Sequence, residues 1–168
     1  MYKNVKENRY TNKTETYGKL FLIKDTLSNR KWELVNETKN IGDYTCFKAV
    51  YKDTYNTQTF TENGEAEEIT KDRTTTVWYT PQIPVNNGPE DFHGLPGLIL
   101  EINDGKLTLV CSKIIMNPSE AIEIKEPKKG KVVSQEKFNE IMDKKTKEMM
   151  DRMQSRKKDG SNVIVIGG

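Results

Sequence analysis

The segment Gly94-Leu95-Pro96-Gly97 opens directly onto the apolar run Leu98-Ile99-Leu100-Glu101-Ile102. Pro96 fixes its own φ near about −65° and biases Leu95 to an extended conformation. Gly94 and Gly97 admit positive φ or a close neighbour, which no other residue tolerates as cheaply. The corner is therefore stiff, and the run that leaves it is β-prone and apolar enough to pass inward. A chain with such a corner needs a sheet to receive that strand.

The rest of the sequence supplies one. Lys19–Lys24 carries Leu20-Phe21-Leu22-Ile23 between charges, which suits a buried strand. Trp32–Val35 and Tyr44–Tyr51 flank Gly42-Asp43 and predict an antiparallel hairpin with a longer loop. Residues 54 to 70 are polar and read as an exposed turn or loop. Arg73–Thr80 is β-branched and aromatic, and it stops at Pro81 because proline cannot donate to a ladder. Pro81 to Pro96 then reads as a stiff, irregular, proline-rich loop. Asp104-Gly105 predicts a two-residue hairpin between Gly97–Asn103 and Lys106–Met116, and Ala121–Ile124 reads as a short edge strand. Ser134 is an N-cap for a helix over 134–158, in which Phe138, Ile141, Met142, Met149 and Met153 fall near one face. Asn162–Ile166 is expected to return as a final short strand.

Short connections between successive strands favour an antiparallel meander over a parallel sheet. The fold class expected is thus α+β and mainly antiparallel β: a curved, up-and-down, half-barrel-like sheet with one long C-terminal helix and a last strand. A single domain over 1–168 fits the length, with 1–17 left disordered or partial.

Charge sets limits on partners. The net charge is +2, yet residues 125–158 hold twelve Lys and Arg against six Asp and Glu. Acids interleave with the bases there, so the segment reads as a solvated helix face and not as a nucleic-acid surface. No apolar stretch reaches the ~18 residues of a membrane span. The methionine stripe suits core packing better than copper, since no His or Cys accompanies it.

Chemistry is sparse. His93 is the only histidine, so no His-rich metal site exists and no metal or cofactor is expected. A hydrolase would have to use His93, with Cys46 or Cys111 as nucleophile; a loop-ordering histidine is the plainer reading. Cys46 and Cys111 leave two readings open, a long-range disulfide or two free thiols that act as small hydrophobes. Trp78, Tyr79, Phe92, His93 and Leu95 line a ligand-binding mouth in the functional reading, with Gly94, Pro96 and Gly97 shaping it. The competing reading of the aromatic set is core packing.

The spelling Gly94-Leu95-Pro96-Gly97-Leu98-Ile99 resembles the signature of the GLPGLI family, Bacteroidetes proteins largely of unknown function. The resemblance extends to Ile41-Gly42-Asp43-Tyr44-Thr45-Cys46, to Trp78-Tyr79-Thr80-Pro81-Gln82-Ile83-Pro84 and to Cys111-Ser112-Lys113-Ile114, and runs from about Gly18 to the end. It implies that this chain starts partway in, and that the protein is periplasmic, outer-membrane-associated or secreted. On that basis the expected function is non-enzymatic binding of an apolar ligand or an envelope protein. The alternatives are an accessory subunit of an outer-membrane transport system and, behind it, the hydrolase. The oligomeric state stays open, a bare sheet edge offering one route to a dimer.

Overall fold

The computed structural model describes residues 1–60, 66–120 and 122–158. Its strands are β1 (Tyr2–Asn4), β2 (Arg9–Thr16), β3 (Lys19–Thr26), β4 (Glu33–Ile41), β5 (Tyr44–Phe60), β6 (Ala66–Thr80), β7 (Leu98–Asn103), β8 (Thr108–Val110) and β9 (Lys131–Val133), followed by the helix α1 (Gln135–Lys158). The fold is mainly antiparallel β with one long C-terminal helix, as expected. The final strand expected at 162–166 lies outside the described residues.

Where one sheet was expected, the strands divide into two, and the chain's contacts form two compact units. The larger unit holds residues 3–8 and 27–124. Its sheet runs β4-β5-β6-β7-β8 in chain order, an open antiparallel meander. Ala49, Val77, Tyr79, Leu95, Ile99 and Ile102 form its core, with Trp32, Phe92 and Leu109 packed against them. Ile99 and Ile102 share that core despite an odd spacing. The β6–β7 register shifts between Trp78 and Tyr79, so Tyr79 pairs with Ile99 while Trp78 pairs with Glu101. Leu100 is the extra residue of this bulge, which breaks the two-residue period and returns Ile102 to the core face.

Four local readings change. The β4–β5 connection is Gly42-Asp43 alone, because β4 continues to Ile41 and pairs it with Tyr44. The segment 54–70 is mostly strand: β5 and β6 pair without interruption from Phe47↔Tyr79 to Phe60↔Ala66. Threonine and tyrosine there supply β propensity without an apolar period. The Asp104-Gly105 hairpin has a four-residue loop, since Asp104 Oδ1 accepts from the Lys106 and Leu107 amides at 2.9 and 2.8 Å and so shortens β8. Residues 122–124 do not form the expected edge strand, and Ile122 and Ile124 are exposed.

Among the described residues, the smaller unit holds 1–2, 9–26 and 125–158. The second sheet has the order β1-β2-β3-β9, so strands occupy much of the stretch that the sequence left disordered. In β3, Phe21 and Ile23 join Val133 of β9, and Tyr10, Phe138 and Ile141 pack on them. The pairing of β3 with β9 is parallel. Helix α1 starts where its cap predicts: Ser134 Oγ accepts from the Lys137 amide at 3.1 Å, and Asp25 Oδ2 accepts from the Gln135 amide at 2.9 Å. The Gln135 amide, and after it the Thr26 amide at 2.8 Å from Oδ1, hold the Asp25 carboxyl below its ordinary pKa. Of the predicted apolar stripe, Phe138 and Ile141 dock, whereas Met149 and Met153 stay exposed.

Glu126 ties this unit together. Its carboxylate accepts from Thr11 Oγ1 at 2.7 Å, Lys24 Nζ at 3.0 Å and Arg9 Nη1 at 3.0 Å. These donors, Thr11 foremost, lower its pKa from 4.5 to about 2. A depressed carboxylate pKa contributes stability that is present above pH 4.5 and lost as pH falls through the folded value. Glu126→Gln is therefore expected to lower Tm at pH 7 and to flatten the loss of Tm between pH 4.5 and 2. A variant that follows the wild-type acid profile would contradict this.

Candidate functional site

The proline loop that joins β6 to β7 is held from one side by side chains far away in sequence. Gly97 sets its end: a Cβ there would lie 2.2 Å from Thr80 O and 2.8 Å from Pro81 N, so only glycine allows the loop to close on itself. Next to this closure, Leu98 N donates to Ile83 O at 3.0 Å and Ile99 N to Asn87 O at 3.0 Å. Two three-residue turns in succession, Val85 N to Ile83 O and Asn87 N to Val85 O, each 2.7 Å, shape the middle.

An irregular backbone has no ladder to satisfy its carbonyls, so each needs a donor from elsewhere. Lys3 Nζ donates to Gly88 O, Glu90 O and Phe92 O, each at 2.8 Å. Phe92 N donates to Pro89 O at 3.1 Å. Arg30 Nη1 donates to Asp91 O at 2.9 Å, and its Nη2 meets the Asp91 carboxylate at 2.5 Å. Trp32 Nε1 donates to His93 O at 2.9 Å. Every carbonyl from Gly88 to His93 thus has a partner. The anchors also stack: the Arg30 guanidinium lies 4.3 Å from the Phe92 ring centre, and Trp32 packs against Phe92 and Tyr51 at 6.4 and 5.9 Å.

The loop's far end alternates. His93, Leu95 and Gly97 are buried, whereas Gly94 and Pro96 are exposed. Gly94 N donates to Asn86 Oδ1. On the outward side, Pro84, Asn86, Gly94, Leu95 and Pro96 line an open depression of about 440 Å³. Of the mouth residues read from the sequence, Leu95 is the one that lines this depression. Tyr79 and Leu95 belong to the core, and Phe92 packs on Trp32. Trp78 points to the opposite face of β6, where Lys39 Nζ sits 4.5 Å over its ring and binds Glu101 at 2.7 Å. Trp78, Tyr79, Phe92, His93 and Leu95 therefore do not come together as a mouth. Gly94 and Pro96, assigned to shaping, are instead among the residues that line the depression.

His93 Nε2 lies 3.0 Å from Ser28 O, and burial lowers the ring's pKa. Cys46 is buried, with its thiol pKa raised by burial, and Cys111 is partly exposed. Both are free thiols. Cys46 lies on β5 and Cys111 just past β8, and no disulfide joins them.

Residues 32–101 match the family model described as a protein of unknown function, Porph_ging. The match takes in β4 to β6, the whole proline loop and the first four residues of β7, and it covers less than half of the chain. It corrects the resemblance to the GLPGLI family, since the family model matched is this one and its match ends at Glu101. The envelope setting inferred from that resemblance has no other support in the chain. No curated protein and no solved structure matches. No helix among the described residues is long and apolar enough to cross a membrane.

Sequence reasoning missed Lys3, Arg30 and Trp32 as loop anchors, and Pro84 and Asn86 as lining residues. No local signal marks the three anchors. The in-and-out alternation of an extended stretch after Phe92 would have separated His93 and Leu95 from Gly94 and Pro96.

Proposed function

We propose that the chain is a non-enzymatic binding protein, and that its recognition surface is the outward side of loop 81–97, which takes an extended segment of a partner polypeptide. The observation that carries this reading is the division of the loop into two sides. Every carbonyl from Gly88 to His93 is tied to Lys3, Arg30, Trp32 or the loop itself, while Pro84, Asn86 and Pro96 are left exposed around a depression of about 440 Å³.

A surface locked from behind binds without first having to be ordered, which removes one of the main costs of association. The depression is within the size range of ligand sites, but it opens to solvent, and that favours an extended chain over an enclosed small molecule. Two proline rings and one amide suit a mixed contact of that kind. The hydrolase alternative gains nothing from the site: His93 is buried with Nε2 on the Ser28 carbonyl.

The test compares partner capture by wild type, Pro84→Glu and the control Lys13→Glu, which changes an exposed residue of the smaller unit. A partner retained by wild type and control but depleted at least roughly tenfold by Pro84→Glu, with Tm lowered by no more than ~4 °C, supports the reading. Equal retention by all three overturns it.

A further inference from the structure

The three carbonyls on Lys3 form a built site. A primary ammonium carries three donors, and Gly88 O, Glu90 O and Phe92 O present three acceptors, each at 2.8 Å. The backbone arranges them in alternation. Every second carbonyl faces the ammonium, while the two between them are used elsewhere: Pro89 O by Phe92 N and Asp91 O by Arg30. Glu90 takes a positive φ of 49° to hold this curl, an uncommon conformation for a residue with a side chain. Gly88 has no room for one: a Cβ would lie 2.9 Å from Ile99 Cβ and 3.2 Å from Phe92 O, one of the three acceptors. Beside the site, Asp91 supplies a favourable charge and Arg30 an opposing one, and burial lowers the Lys3 pKa from 10.5 to about 8.

We propose that the Gly88–Phe92 turn is a receptor for a primary alkylammonium group, occupied in cis by Lys3, and that the same three carbonyls accept such a group from solution when the Lys3 ammonium is removed. The site lies on the anchored side of the loop and does not depend on what the outward side binds. Three convergent dipoles in a fixed frame reward a ligand with three directional donors. A quaternary ammonium offers none, and an alkali cation offers charge without direction.

The test uses the full chain carrying Lys3→Ala, which deletes three carbons and the ammonium nitrogen. n-Propylammonium replaces those four atoms. Titration followed by amide NMR is expected to give saturable shifts confined to residues 88 and 90–94, in a roughly millimolar range, and to raise the variant's lowered Tm. Wild type is expected to show neither. Absence of saturable shifts, equal shifts with tetramethylammonium or potassium chloride, or an equal response of wild type would each overturn the proposal. Should Lys3→Ala not fold, Lys3→Met keeps most of the stem. It is then titrated with ammonium chloride against sodium chloride, with localised shifts expected for ammonium alone and equal behaviour overturning the assignment.

Discussion

Gly97→Ala is expected to destabilise the larger unit by about 3 kcal/mol, the upper end of overpacking effects, and to lower Tm by roughly 6–12 °C. The added methyl would sit 2.2 Å from Thr80 O and 2.5 Å from Thr80 C, with Pro81 N at 2.8 Å. All three are backbone atoms, so no side-chain rotation relieves the clash. Thr80 cannot retreat without breaking its pairing with Leu98, the last pair of the β6–β7 ladder. Relief would have to come from opening the loop where Leu98 N meets Ile83 O. Thermal denaturation measures the effect directly. A Tm within ~2 °C of wild type would mean that the close approach is not what fixes the corner.

Leu95→Ala is expected to cost about 3 kcal/mol as well, in the range for deleting a buried leucine side chain. Leu95 is 2% exposed and belongs to the cluster of Ala49, Val77, Tyr79, Ile99 and Ile102. The neighbouring Pro96 is exposed, and Pro96→Ala is expected to cost about 1 kcal/mol or less, mostly by loosening the unfolded chain. The contrast between adjacent residues is the sharper result. It separates a leucine that packs into the core while bordering the depression from one that only lines a surface, whose truncation would leave Tm nearly unchanged. Chemical denaturation of both variants decides between them.

These two residues also show what local sequence carried. The corner at Gly94–Gly97 and the strand Leu98–Asn103 were legible because glycine and proline act on their own backbone. The same holds for Ser134 and its helix, where the cap and the absence of internal glycine or proline fix the start. Polarity misled elsewhere. Arg9–Thr16 has a single aromatic and no aliphatic residue, yet it pairs with β3 along its whole length, because β3 supplies the apolar side of the pair. Residues 54–60 and 66–70 pair with each other with no apolar period to announce it.

The site was the least legible part, for a physical reason. An irregular loop inside a β protein must borrow donors for its carbonyls, and here they come from Lys3, Arg30 and Trp32, up to 89 residues distant. Nothing in the spelling of 81–97 names them. Aromatic residues next to the loop drew attention because they are large, but size and apolarity sent Tyr79 and Phe92 to the interior and its margin. What remained outside was the residue set that makes poor core: proline, asparagine and glycine.

The central claim is that loop 81–97 is locked as firmly as the sheet that carries it. Amide hydrogen exchange of the wild-type chain at neutral pH tests it most directly, read at Gly94, Leu98 and Ile99, whose amides donate to Asn86, Ile83 and Asn87. The account predicts protection at these three comparable to that of Val77 and Tyr79 within β6. Exchange at the rate of an unstructured chain at Gly94 and Leu98, with Val77 still protected, would contradict it.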